Sequence, residues 1–254
     1  MKYIVPTAKR RLAVRVQLQI LTLEPQSITI VGTDKDFPKT KYFQRTPRFS
    51  GQETLFLSLP NSPNKLLLEI YNIQEGTSVN NTFKIINIDT VPLITDATSI
   101  PLAHRSNIRF LENFSIQESY LAVNKTYNSS NSNLTIKLLP YIQDDSGNKH
   151  PTPARIHKQM NLIQVSKTHF DSMTVPMRIA ILLHEYSHNY MNGQQDNEFE
   201  ADQNGMNLFA ALGYPYSEAV KAYAKMFAGS EVDFYRTDKM YRNLDAHYVD
   251  HSII

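Results

Sequence analysis

Apolar and polar residues alternate along several short segments in the first hundred residues. Every second residue from Leu12 to Ile20 is apolar, and a period of two predicts a half-buried β-strand. Residues 27–31, 54–59, 65–71 and 83–88 show similar patterns, and prolines, glycines and asparagines separate them. The pattern predicts a β-rich module over residues 1–100.

The rest of the chain, residues 101–254, mixes helical and strand patterns. Apolar spacing predicts a helix around residues 108–116 and strands at 134–139 and 162–167, whereas the polar segment 124–133 is typical of an exposed loop. Three further helices are predicted: one at 176–192, one that begins at Asp196 or Asn197 and ends at Gly213, and one that starts near Ser217. The predicted fold class is therefore α+β, in two domains.

The candidate chemistry lies within the predicted helix 176–192. His184 and His188 are four residues apart, so they share one helix face and can bind a single zinc ion. Glu185 lies about 100° around the helix from His184, on the flank of that face, where its carboxylate can act as general base on a metal-bound water. This motif arises by chance about 0.01 times in such a chain.

A catalytic zinc site needs a third protein ligand. Ten residues after His188 comes Glu198, which an antiparallel second helix would bring to the level of the histidines. We predict Glu198 as the third ligand and Asp202, four residues on, as the carboxylate that holds the far ring nitrogen of a zinc-bound histidine. Glu200 is a rival ligand that should point to the other side, and Gly205 would allow close helix packing.

Together, these motifs carry a family resemblance. The pattern His184-Glu185-x-x-His188 with Glu198-x-x-Ala201-Asp202 resembles gluzincin zinc metallopeptidases, especially short zincin-like proteins of bacteria and their phages. The resemblance covers roughly residues 161–227, with a shorter spacing before Glu198 than in better-known members.

The resemblance implies a zincin-like domain with a small sheet, an active-site helix and an antiparallel helix that bears the ligand glutamate. It implies one Zn²⁺ per chain, a polypeptide substrate and a zinc-dependent endopeptidase activity. The substrate would pair with an edge strand formed by Leu162, Ile163, Gln164 and Val165. No clear counterpart of the residue that stabilises the oxyanion is present; candidates by composition are Tyr241, Arg242 and His247.

The amino-acid composition excludes several other classes of function. Zero cysteines exclude disulfide scaffolds, thiolate catalysis and iron–sulfur clusters. A net charge of +2 provides no general attraction to nucleic acid or anionic membranes. We expect no membrane partner and no nucleic-acid partner, and the sequence leaves the oligomeric state open. Without a signal peptide, we expect a cytoplasmic protein, with a virion-associated location as the alternative.

Several alternatives stay open at the level of sequence. The motif helices could form a metal-free hairpin, the fold could serve as a non-catalytic structural or assembly protein such as a phage virion component, or the substrate could be a cell-wall peptide. The basic, aromatic stretch 35–49 is predicted to be a solvated loop, and the basic cluster 9–11 a charged strand edge. The remaining histidines are predicted to be surface or loop residues: His104, His150, His157, His169 and His251.

Overall fold

A computed structural model describes residues 1–73, 81–130 and 133–226. The chain divides into two compact units, Met1–Thr95 and Asp96–Ile254. The sequence placed this division at residue 100, five residues later. Strands and helices are both abundant, so the fold class is mixed α+β.

The first unit consists of strands. They are β1 (Lys2–Pro6), β2 (Leu12–Ile20), β3 (Gln26–Asp34), β4 (Lys41–Arg45), β5 (Arg48–Phe49), β6 (Gln52–Leu59), β7 (Lys65–Asn72) and β8 (Phe83–Pro92). One sheet has the order β1-β7-β3-β4, with β5 also paired to β3, and a second sheet has the order β6-β2-β8. All of these pairs are antiparallel. The alternating positions of β2, including Val14, Val16 and Leu18, are fully buried, as their period predicts.

Two predictions for this unit are wrong. Residues 35–49 are not a solvated loop: they contribute β4 and β5, and Tyr42, Phe43 and Phe49 are buried. Burial of these aromatic side chains in the core favours strands here, although charged residues lie between them in the sequence. The basic cluster 9–11 forms a turn between β1 and β2, where Ala8 and Lys9 have positive φ angles, so it is not a strand edge.

The second unit carries the sequence motifs. Its strands are β9 (Lys125–Asn128), β10 (Thr135–Leu139), β11 (Ala154–His157) and β12 (Leu162–Ser166). Its helices are α1 (Leu102–Gln117), α2 (Lys167–Phe170), α3 (Val175–Tyr190), α4 (Glu198–Ala211) and α5 (Tyr216–Met226), with 3-10 turns at Glu118–Tyr120 and Lys158–Met160. Among the described residues, no helix is long and apolar enough to cross a membrane.

The four-stranded sheet corrects two predictions. Its order is β11-β12-β10-β9. The segment 124–133 contains the edge strand β9, so it is not simply a loop. Leu162, Ile163, Gln164 and Val165 belong to β12, which lies between β11 and β10; both neighbours occupy its backbone hydrogen-bonding groups, so it cannot receive a further strand. Among the described residues, β11 is the edge strand on this side of the sheet and pairs only with β12.

Helix α3 is the central element of this unit, since every residue from Val175 to His188 is buried. It begins where the Thr174 side chain accepts a hydrogen bond from the Met177 amide, with Pro176 in its first turn. The buried guanidinium of Arg178 donates to the carbonyl oxygens of Phe170 (2.9 Å) and Ser115 (3.0 Å). It also lies 3.2 Å from the carboxylate of the buried Glu118. These contacts fix the start of α3 against α1 and α2.

Candidate metal centre

Two imidazole rings of α3 meet at the centre of the site. His184 and His188 are both buried, and their Nε2 atoms lie 3.2 Å apart. The four-residue spacing on a continuous helix produces this proximity. Two ring nitrogens directed at one point can share one metal ion.

Glu198, the first residue of α4, completes a group of three ligands. Its Oε2 lies 3.3 Å from His184 Nε2, and its Oε1 lies 3.4 Å from His188 Nε2. In a tetrahedron with metal–ligand bonds of about 2.0–2.1 Å, neighbouring ligand atoms lie about 3.3–3.4 Å apart. Each observed separation is of this length, with one carboxylate oxygen of Glu198 beside each imidazole. His184, His188 and Glu198 can therefore hold a metal ion.

Each ring is oriented through its other nitrogen. Asp202 Oδ1 lies 2.9 Å from His184 Nδ1, the position that the sequence predicted for this carboxylate. His188 Nδ1 lies 2.7 Å from the Gln195 carbonyl oxygen; since a carbonyl only accepts, the ring nitrogen donates. These acceptors favour a proton on Nδ1 of both rings, so the neutral form of each ring offers its Nε2 lone pair to a metal.

The Gln195 carbonyl is itself fixed from the opposite side of the cleft. Lys158, in the 3-10 turn after β11, donates from Nζ to this oxygen at 2.7 Å and forms an ion pair with Asp196. The α3–α4 loop is thereby tied to the end of β11. Sequence reasoning missed this contact, because a backbone acceptor leaves no residue-type pattern.

The close contact between α3 and α4 determines how far the side chains of Glu198 and Asp202 extend toward the two histidines. A Cβ atom at Gly205 would lie 3.0 Å from the His184 amide nitrogen and 3.1 Å from its Cα. Glycine therefore allows the two backbones to approach, as predicted. Glu200 points elsewhere and accepts from the amides of Gly193 (2.8 Å) and Gln194 (3.2 Å), so it caps the loop and is not a rival ligand.

The site favours a positive charge. Burial lowers the pKa of His184, but the carboxylates of Asp202 and Glu198 outweigh burial and raise this pKa to about 10. Hydrogen bonds from His184 and His188 hold the pKa of Glu198 well below its usual range. In the metal-free protein a proton supplies the charge that a divalent cation would otherwise bring.

Glu185 lies beside the three ligands without belonging to them. Its carboxylate is buried, which raises its pKa, and Oε2 accepts a hydrogen bond from the Ile156 amide at 2.9 Å. Ile156 is on β11. The Ile156 amide therefore points away from β12, toward the free edge of the sheet, and fixes the orientation of the carboxylate there.

These groups line one cleft of about 280 Å³. One wall consists of α3 and Glu198, whose side chain remains 53% exposed. The other wall consists of β11 residues and the segment before them, including His150 and Thr152. Among the described residues, the cleft opens next to β11, the edge strand of the sheet.

His150 is one of the cleft residues that the sequence did not predict as part of the site. It was predicted to be a surface or loop residue, since it has no partner at ligand spacing. Its Nδ1 accepts a hydrogen bond from the Thr152 amide at 3.1 Å, so in the neutral ring the proton lies on Nε2. His150 therefore offers one imidazole N–H donor among the residues that line the cleft.

The remaining predicted residues lie apart from the cleft or outside the described residues. His104 Nδ1 contacts the buried Tyr186 hydroxyl at 2.7 Å, and His169 Nδ1 contacts Ser166 Oγ at 2.8 Å, so both have structural partners. His157 has a buried Nε2 without a hydrogen-bond partner in the described part of the chain. Four positions lie outside the described residues: Tyr241, Arg242, His247 and His251.

Comparisons of this chain with family models, with curated proteins and with solved structures give no match.

Proposed function

We propose that the chain is a zinc-dependent peptide hydrolase with a zincin-like catalytic domain. The group formed by His184, His188 and Glu198, called the ligand triangle below, carries this proposal, because the nearest nitrogen and oxygen atoms of each pair lie 3.2–3.4 Å apart. Two imidazoles and one carboxylate are a donor set of catalytic zinc sites, which keep their fourth position for water or substrate. The open cleft beside the triangle supports a catalytic site over a closed structural one.

The free edge of β11 supports a polypeptide substrate. The Ile156 amide and the buried carboxylate of Glu185 meet at this edge, next to the ligand triangle. An extended peptide that pairs with β11 would bring its backbone carbonyls along the cleft. This assignment replaces the predicted pairing with β12 residues Leu162 to Val165.

Glu185 is the proposed general base. When bound, zinc lowers the pKa of a coordinated water and polarises the scissile carbonyl. Burial raises the pKa of Glu185, and a carboxylate with a higher pKa accepts a proton more effectively. Glu185 takes the proton of the attacking water and delivers it to the leaving amine, while the hydrogen bond from Ile156 keeps its carboxylate aligned.

His150 is the proposed donor to the developing oxyanion. It lines the cleft, and Thr152 fixes the tautomer that carries the proton on Nε2. A preorganised N–H donor in a partly enclosed site stabilises the negative charge of a tetrahedral intermediate. The residues previously predicted for this role lie outside the described part of the chain.

The test is hydrolysis of a peptide library by zinc-loaded wild type and Glu185→Gln, read by mass spectrometry. We expect cleavage by wild type and a loss of at least about 10³-fold in Glu185→Gln with unchanged zinc content, because the amide retains an oxygen for Ile156 but cannot take a proton. Equal rates in the two proteins would reject Glu185 as base. Zinc binding without cleavage would instead support the alternative of a non-catalytic structural or assembly protein.

A further inference from the structure

A row of polar side chains crosses one face of the four-stranded sheet. Lys137 on β10 is in register with Gln164 on β12, and Gln164 is in register with Arg155 on β11. Residues in register across a sheet project their side chains to the same face. Their neighbours Ile163 and Val165 are fully buried on the other face, so the row lies on the open face.

The cations of this row have no acidic partners among the described residues. The Arg155 guanidinium contacts Gln164 Oε1 at 3.0 Å and the Gln143 carbonyl at 3.4 Å, both through Nη2. Its Nε has no hydrogen-bond partner within the described ranges. Because this Nε is buried and both contacts use Nη2, the donors that remain for an anion are the two N–H groups of Nη1.

Arg155 and Lys137 line a second cleft of about 370 Å³. Its other described lining residues include Asn124, Tyr141 and Gln143, and no Asp or Glu lies among them. Two cations with neutral polar neighbours produce a local positive potential. The cleft is therefore suited to a carboxylate.

Arg155 joins this second cleft to the metal cleft, since it lines both. It precedes Ile156, whose amide binds the proposed base. A peptide that pairs with the free edge of β11 extends the row by one strand. The peptide residue opposite Arg155 then projects to the open face, about 4.5–5.5 Å from Arg155 between Cβ atoms.

We propose that this chain selects acidic peptides, with an Asp or Glu side chain of the substrate bound by Arg155 close to the scissile bond. The inference rests on the proposed peptide hydrolase function. Arg155 supplies directional charge-assisted hydrogen bonds to the carboxylate. Lys137, two strands farther into the sheet, contributes positive potential and a smaller share of the affinity.

The first test is cleavage-site profiling with a proteome-derived peptide library. We expect Asp or Glu to be enriched about 5- to 10-fold at one fixed position near the cut. In Arg155→Glu the preference should change to Lys or Arg, and in Lys137→Gln it should weaken about 2-fold. The matched control Arg109→Glu, on the exposed surface of α1, should retain the wild-type preference. Cleavage with no acidic preference would overturn the inference while leaving the proposed hydrolase intact.

A binding measurement separates the two proposals if no peptide is cleaved. Zinc-loaded Glu185→Gln is titrated with fluorescein-labelled decapeptides that carry Glu, Gln or Lys at each position of a serine–alanine background. Tighter binding of one Glu peptide by about 5-fold, abolished by Arg155→Glu but retained in Arg155→Gln at a reduced level, supports the acidic site even without catalysis. Equal affinities of the Glu, Gln and Lys peptides would contradict it.

Discussion

The carboxylate of Asp202 lies 2.9 Å from Nδ1 of His184, on the side of the ring opposite the ligand triangle. Both residues are buried, so solvent cannot replace the contact. A carboxylate at this position fixes the tautomer of a metal-ligating histidine and raises its basicity. The orientation of one proposed zinc ligand therefore depends on a residue outside the group that would hold the metal.

Asp202→Asn is expected to weaken zinc binding by about 10- to 100-fold, because the amide cannot supply the negative charge that supports His184. Competition with a fluorescent chelator at pH 7.5 measures the affinity. The exposed loop residue Asp145 provides a matched control, Asp145→Asn, for which we expect no measurable change. Unaltered affinity in Asp202→Asn would mean that the contact has no influence on the metal.

Zinc affinity should increase with pH. In the metal-free protein the pKa of His184 is raised to about 10, because the Asp202 and Glu198 carboxylates outweigh the effect of burial. Zinc must displace that proton, so we expect the apparent affinity to rise about tenfold per pH unit between pH 6 and 8. Isothermal titration with a competing chelator tests this slope, and a pH-independent affinity would contradict it.

The raised pKa of His184 also makes the stability of the metal-free protein depend on pH. The folded-state pKa of His184 is above its unfolded value of 6.5, so its proton stabilises the fold fully below about pH 6.5, and this contribution is lost as the pH rises through about 10. The Tm of the metal-free protein should fall from pH 7 to 10, and the Tm increase on adding zinc should grow over the same interval.

Gly205→Ala should destabilise the protein by about 1–3 kcal/mol, since its Cβ would meet backbone atoms of His184 at 3.0 and 3.1 Å. Alanine regains up to about 1 kcal/mol by helix propensity. Displacement of α4 should also weaken zinc binding through Glu198. In the control Gly193→Ala the new Cβ lies 3.5 Å from a Glu200 side-chain oxygen, an ordinary contact, so urea unfolding should show little change. Equal stabilities of the two variants would contradict the close-approach argument.

His150→Ala should reduce kcat by about 10²- to 10³-fold with zinc content and Tm unchanged, because it removes one donor to the oxyanion. Steady-state hydrolysis of the best library peptide measures the effect. His169→Ala is the matched control, since His169 contacts Ser166 and does not line the cleft. A change confined to KM in His150→Ala would indicate substrate binding in place of transition-state stabilisation.

The elements that carry the ligands could be predicted from the sequence because their signals are local. The bounds of both helices could be predicted to within about two residues. The signals are the apolar spacing of α3, Pro176 in its first turn and the Asn197 cap of α4. Once the helices are placed, the four-residue spacings His184 to His188 and Glu198 to Asp202 determine which groups share a face. Gly205 indicated that α3 and α4 pack closely, because glycine has no side chain to hold the two helices apart.

The sheet edge could not be predicted because strand order is not a local property. Residues of β11, reading Ala-Arg-Ile-His, alternate between apolar and polar, but a pattern of four residues with a single β-branched side chain is too short to predict a strand. Without β11, the next strand along the chain, β12, was assigned to the edge. His150 and the Gln195 carbonyl were missed because their roles arise from tertiary placement, which residue spacing does not encode.

The zinc content of the wild type, Glu198→Gln and Glu200→Gln tests the central claim most directly. The two glutamates are two residues apart on one helix, but Glu198 faces the histidines and Glu200 caps the α3–α4 loop. After refolding with zinc and dialysis against a weak chelator, plasma mass spectrometry should find about one zinc per chain in the wild type and Glu200→Gln and almost none in Glu198→Gln. Zinc-free wild type, or equal zinc in both variants, would contradict the proposed centre.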